Sequence, residues 1–145
     1  MANVIHLAGP IDYLDGYKAA EAGIKPGHLC EKVPGAKTVR KNTSATNVAE
    51  ILVALTDRAA NVDIDTAYAS GSFVRLAQFR RGSAFQGRIA SGQDIALHDG
   101  MQSAGDGTLK EATSAAAGDN VKIFQAINAP GAVTVETLCK VEVIA

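Results

Sequence analysis

Turn signals recur so closely along this chain that little room is left between them for long regular elements. Pro26-Gly27 and Pro34-Gly35 come first, followed by Ser91-Gly92, Asp99-Gly100, Gly105-Asp106-Gly107, Gly118-Asp119 and Pro130-Gly131. At such sites Gly supplies positive φ, Pro presets φ, and Asp bonds to its own backbone. The segments between them are short and rich in alternating or β-branched residues. Residues 133–144 alternate apolar and polar over much of their length, the period-2 mark of a half-buried strand, and 62–66 and 73–79 read alike. The fold class expected from this pattern is all-β, built from many short strands.

A chain of 145 residues has the size of one domain and buries a real core without staples. Its apolar fraction is 47%, but only 5% of residues are aromatic and Trp is absent, so Ala, Val, Ile and Leu must fill the interior. Residues 1–22, which hold Tyr13 and Tyr17, read as an N-terminal arm or a first hairpin, and 23–145 as a single β domain. Within it, the pattern of 23–66 returns in 89–137. Thr38-Val-Arg-Lys matches Thr108-Leu-Lys-Glu, and Ile51-Leu-Val-Ala-Leu matches Ile123-Phe-Gln-Ala-Ile. This suggests two related β units sharing one core. Residues 47–55 also fit a helix with Asn47 as N-cap and Glu50 three residues on; the strand-forming duplicate from Asn120 favours strand for both. The segment 112–119 reads as a loop.

Fourteen basic and fifteen acidic residues leave a formal charge of −1, which gives no bulk attraction to nucleic acid or to an anionic membrane. No apolar run is long enough for a spanning helix, and the N-terminus lacks a basic start before an apolar stretch, so use without secretion is expected. Cys30 and Cys139 sit in apolar runs and are expected as free buried thiols. His6, His28 and His98 lie in no catalytic signature, and His28 and His98, beside turns, are expected at the surface. Asp94, Asp99 and Asp106 gather near Gly turns, where Asp is a turn former before it is a calcium ligand. Gly105-Asp-Gly reads as a hairpin turn, because no phosphate-cradle motif surrounds it. No catalytic, cofactor or metal site is therefore expected.

Local charge is more informative than the total. Residues 66–93 carry Arg75, Arg80, Arg81 and Arg88 without a carboxylate, and 32–49 carry Lys32, Lys37, Arg40 and Lys41. Such runs are first of all solvated faces. Phe73, Phe79 and Phe85 are expected in the core, which leaves nucleic-acid binding without stacking platforms. Arg suits pairing at a protein interface better than Lys does. Tyr13, Tyr17, Arg75, Arg80, Arg81 and Arg88 are accordingly the candidate partner-interface residues.

The central segment resembles a known family. Ile64-Asp-Thr-Ala-Tyr-Ala-Ser-Gly-Ser-Phe-Val-Arg, then Arg81-Gly-Ser, Arg88-Ile-Ala-Ser-Gly-Gln-Asp-Ile and Asp99-Gly-Met-Gln-Ser-Ala-Gly-Asp-Gly-Thr-Leu are similar to the head decoration, or cement, proteins of tailed bacteriophages. The likeness spans roughly residues 60 to 125 and consists of turn chemistry; His98-Asp99-Gly100 departs from it by reversing the usual Gly-Asp order. The resemblance implies a small β-barrel or β-tulip-like domain with no catalytic residues. It also implies a homotrimer on the outer capsid surface of the virion, clamping subunits of the major capsid protein. A virion-surface module for a carbohydrate or receptor is the second expectation, with Tyr13, Tyr17 and Tyr68 as its available tyrosines.

Overall fold

The protein's structure is a computed structural model that describes residues 5–45, 48–112 and 123–144; within them every regular element is a strand. The chain opens with β1 (His6–Ala8), β2 (Ile11–Leu14) and β3 (Lys18–Ala19). Then come β4 (Leu29–Lys32), β5 (Thr38–Lys41), β6 (Leu52–Ala54) and β7 (Leu76–Phe79). The second half holds β8 (Ala84–Ile89), β9 (Asp94–Ile95), β10 (Gly100–Ser103) and β11 (Leu109–Glu111). It ends with β12 (Phe124–Ala126), β13 (Gly131–Ala132) and β14 (Thr137–Val143).

The second half closes into a five-strand barrel in the order β8, β11, β10, β12, β14 and back to β8, with β1 laid against the outer part of β8. The Gly105-Asp-Gly turn joins β10 to β11 as an antiparallel hairpin, as its turn chemistry requires. The first half forms a sheet in the order β2, β7, β6, β4, β5, β3. This sheet curls until Lys18 bridges Phe73, just ahead of β7.

The central strands β4, β6 and β7 of the curled sheet carry apolar side chains buried on both faces. Leu29, Val53, Leu55, Ala77 and Phe79 face the closed barrel and join its core, which includes Phe85, Ile89, Met101, Leu109, Phe124 and Val141. The alternate residues Cys30, Leu52, Ala54 and Leu76 point into the curl and pack with Ile24, Val39 and Tyr68. A strand covered on both sides needs apolar residues at every position, and this explains the unbroken run 51–55 that also fitted a helix. Leu52–Ala54 is a strand; Asn47 lies outside the described residues, as do Asn120 and most of 112–119.

The two halves use the same pairing. β4 lies between β5 and β6 as β10 lies between β11 and β12, with Cys30 opposite Lys41 and Leu52 in one, and Met101 opposite Glu111 and Phe124 in the other. Ala19 pairs in parallel with Val39, and Ile89 in parallel with Leu109. The N-terminal segment is woven into both units: β1 joins the closed barrel, while β2 and β3 join the curled sheet. Gly9 makes the crossing between them at φ 85°, where a Cβ would lie 2.6 Å from the Cα of Ser83.

Two expectations change here. Residues 62–66 form no strand beyond a bridge from Val62 to Asp57, because the Asp63 carboxylate accepts from the Asp65 amide and the Thr66 hydroxyl and draws the backbone into a turn. Phe73 is not a core residue but 62% exposed, since it lies where the sheet folds back on Lys18. Phe79 and Phe85 are buried, with ring centroids 4.8 Å apart, and Phe124 stands edge-on to Phe85 at 5.6 Å. Phe85 thus joins the two halves of the larger core. Phe85→Ala should cost about 3–5 kcal/mol, read as a lower urea midpoint at unchanged slope. A loss below about 1 kcal/mol would place the weight of the core elsewhere.

Candidate functional site

Aromatic rings pair with cations at three places on the curled sheet, and Tyr13, Arg75 and Phe73 form an exposed strip among them. Tyr13 on β2 is 56% exposed, and the Arg75 guanidinium lies 5.3 Å from its ring centre. Lys18 on β3 sits 5.1 Å from the Phe73 ring. Tyr17, half buried against the inner cluster, takes Lys37 at 5.5 Å and Lys32 at 5.7 Å. The local pairing produces this arrangement: Tyr13 lies opposite Ala77, Lys18 opposite Phe73, and the Tyr17 carbonyl accepts from the Val74 amide. A shallow depression of about 330 Å³ beside it is lined by Leu14, Asp15, Asp57, Phe73, Val74 and Arg75. Large exposed rings flanked by cations suit contact with a protein surface, where aromatic residues and Arg concentrate binding energy.

A second cluster, buried at the junction of the halves, is polar. Arg88 is 3% exposed; its Nε donates to the Pro26 carbonyl at 2.7 Å and its Nη1 to Glu136 at 3.2 Å, and Nη2 reaches the Ile64 carbonyl. His28 is also buried: its Nδ1 accepts from the Lys25 amide at 2.9 Å, so its Nε2 carries the proton given to Glu136, again at 2.9 Å. Gly27 sits between them at φ 93°, and a Cβ there would approach the Gln86 carbonyl to 2.9 Å. The hydrogen bond from His28 and the charge of Arg88 hold the Glu136 carboxyl below the usual carboxylate range against the opposing effect of burial.

These geometries give the titratable groups structural partners. Burial pushes the Cys30 thiol up to about 12 and the Cys139 thiol to about 11, which leaves both protonated and weakly nucleophilic at neutral pH. His6 bonds the Gly9 carbonyl at 2.9 Å across the β1–β2 crossing. His98 takes a left-handed conformation at φ 69°, ahead of Asp99, whose carboxylate accepts from the Ala96 amide. Glu31 lines a groove of about 300 Å³ with Lys32 and Glu50. Burial would raise its carboxyl, but bonds from Thr43 and Arg40 outweigh that and hold it low. Among the described residues no three His, Cys, Asp or Glu side chains gather as metal ligands would.

The interface candidates therefore separate. Tyr13 and Arg75 come together, whereas Tyr17 sits apart with Lys32 and Lys37 against the inner cluster. Arg80 is exposed but committed to Asp12 by an ion pair, and Arg81 is exposed beside it. Arg88 is not a surface residue: the close approach of Gly27 to β8 roofs it over, and its ionic partners are Glu136, 48 positions away, and Asp65 at 3.6 Å. His28 is likewise buried rather than exposed at its turn. Tyr68 is 1% exposed and gives its hydroxyl to the Leu55 carbonyl, which withdraws it from any surface role. Sequence reasoning missed Phe73, Lys18 and Lys37. Only the pairing of two segments 55 positions apart brings the first two together, and no local pattern announces it.

At the level of sequence, no protein-family model matches the chain and no curated protein matches it. In structure it is similar to the N base of the head fiber gp8.5 of bacteriophage phi29. The TM-score is 0.60 at 11% identity, over 92% of this chain and 94% of that one. At that identity the likeness is one of fold.

The junction generates a test of its own. Glu136→Gln should destabilise the protein at neutral pH by about 1–3 kcal/mol, less than the loss of a fully buried pair because Glu136 is partly exposed. The carboxyl is depressed in the folded state, so its contribution is present above the ordinary value of 4.5 and fades as pH falls through the folded one. The gap between wild type and variant, measured by urea unfolding at a series of pH values, should narrow on acidification. A gap that stays constant down to full protonation would remove Glu136 from the junction's energetics.

Proposed function

We propose that this chain is a structural protein of a tailed-bacteriophage virion, seated on the outside of the head and stabilising the lattice by holding neighbouring capsid subunits together. The observation that carries the reading is the shared fold, almost end to end, with the base of a head fiber. The turn motifs of residues 60 to 125, similar to those of head decoration proteins, point the same way. The exposed strip of Tyr13, Phe73 and Arg75 supplies a surface suited to a protein partner.

Binding rather than catalysis is part of the proposal. Its support is that both thiols are held protonated and each His serves a turn or the junction. A homotrimer fits the same reading, because a trimer on a repeating surface engages several subunits at once and modest contacts then add up. A ligand that binds only the assembled lattice also stabilises it by linkage.

The decisive experiment mixes the purified chain with expanded heads of its own phage that lack it. The chain should cosediment with the heads at saturable stoichiometry, and decorated heads should melt at a higher temperature than bare ones. Phe73→Ala should weaken this binding about 30-fold, as loss of an interface anchor does, with the chain's own melting temperature nearly unchanged. A chain that ignores heads at high concentration would end the proposal; hits on a glycan array in the same preparation would replace it with a carbohydrate-binding module.

A further inference from the structure

The two halves repeat one pairing scheme but differ in how one edge is covered. In the closed barrel, β8 pairs along one edge with β14; its other edge takes β1 at Ala84 and Phe85 and β11 at Ile89. The amides on that edge are satisfied: Gln86 donates to the Ile5 carbonyl and Arg88 to the Gly27 carbonyl. In the curled sheet the role of β8 is divided. β2 pairs with β7 as β8 pairs with β14, and β3 pairs in parallel with β5 as Ile89 does with Leu109. Beside β2, where the counterpart of β1 would lie, there is no strand among the described residues, and β2 ends its sheet.

The register fixes which groups that edge presents. Phe79 donates to the Ile51 carbonyl and Leu55 to the Arg75 carbonyl, so the odd residues of the β7 segment bond towards β6. Leu76 and Gln78 then bond towards β2, where they meet Leu14 and Asp12. Ile11 and Tyr13 are left with amide and carbonyl groups directed at the open edge, and no backbone partner for them occurs among the described residues. Unpaired edge groups of this kind are a template for one more strand.

We propose that the β2 edge is a strand-addition site that takes an extended segment of a capsid subunit. The segment would lie antiparallel to β2 around Tyr13, as β1 lies antiparallel to β8. The occupant rests on the functional reading given above; the slot itself rests on the internal comparison of the two halves. Main-chain bonds to Ile11 and Tyr13 supply the registration, and Arg75, stacked on the Tyr13 ring at the rim, favours an acidic side chain in the incoming strand.

Tyr13→Pro tests the slot directly. Its amide faces outward, so proline there removes the edge donor and fills the edge with its ring while the Asp12 and Leu14 bonds to β7 survive. Binding to the expanded heads should fall by at least about 30-fold, whereas Tyr13→Ala, which keeps the amide, should fall less. Should the proline variant fail to fold, amide exchange on the wild-type chain decides the matter: the Ile11 and Tyr13 amides should exchange freely in isolation and slow by more than about tenfold on heads. If wild type binds heads and these amides stay unprotected, or the folded proline variant binds as well as wild type, the slot is wrong while the functional reading stands. If wild type does not bind heads at all, it is the functional reading that fails. Protection that rises with the concentration of the chain alone would make a second copy the occupant and overturn the assignment to a capsid subunit.

Discussion

Everything in this fold depends on three central strands, β4, β6 and β7, whose apolar side chains are buried on both faces of their sheet. β4, β6 and β7 give Leu29, Val53, Ala77 and Phe79 to the core of the closed barrel, and the alternate Cys30, Leu52, Ala54 and Leu76 to the inside of their own curl. The two halves are therefore not two beads on a string but a barrel packed on a sheet that is itself the wall of a second enclosure. Such a wall has no polar face to spare, and it must be thin. Ala54 and Ala77, with only a methyl each to place, let the flanking layers approach, and Phe79, Phe85 and Phe124 bridge what remains. A chain with few aromatics can fill such a structure because its layers lie close and aliphatic side chains reach across.

The seam between the halves cannot be apolar throughout, because backbone carbonyls of irregular segments end there. Pro26 and Ile64 present carbonyls that no strand pairs, and Arg88 satisfies both from one planar guanidinium while Glu136 neutralises it. A charged group buried this deeply is costly unless every donor finds a partner, so the arrangement favours one relative placement of the halves over others. Asn42 contributes in the same way nearby: its carboxamide oxygen accepts from the Ser103 hydroxyl, a bond that ties the β5 end to β10. The polar groups of the interior are thus placed where registration between the units has to be fixed.

This division explains what the sequence could reveal. Turn chemistry is local, so Pro34-Gly35 could be read as a turn, Gly105-Asp-Gly as a hairpin turn, and the all-β class from the frequency of such signals. Alternation is local too, which made the long strand β14 legible. The run 51–55 was ambiguous because burial on both faces erases alternation, and only the partner strands resolve it. Surface and core assignments of single residues fared worse wherever a distant segment decided them. Arg88 and His28 are buried by Glu136 and by the approach of Gly27, and Phe73 is exposed by the fold-back onto Lys18. Of the candidate surface, Tyr13, Tyr17 and Arg75 were visible as residue types suited to an interface; the pairing of Tyr13 with Arg75 was not, since it needs the β2–β7 register.

The same reasoning accounts for a fold that outlasts resemblance in sequence. What the architecture demands is a pattern: apolar residues on both faces of three strands, left-handed residues at the turns, and a neutralised cation at the seam. Many side chains satisfy the first demand, Gly, Asn or even His satisfies the second, and only the third asks for particular chemistry. Little else constrains the outer surface, so its side chains are free to change while the interior pattern stays. Tyr13 and Phe73, 56% and 62% exposed, lie outside both core clusters, which leaves their rings available for the surface role proposed above.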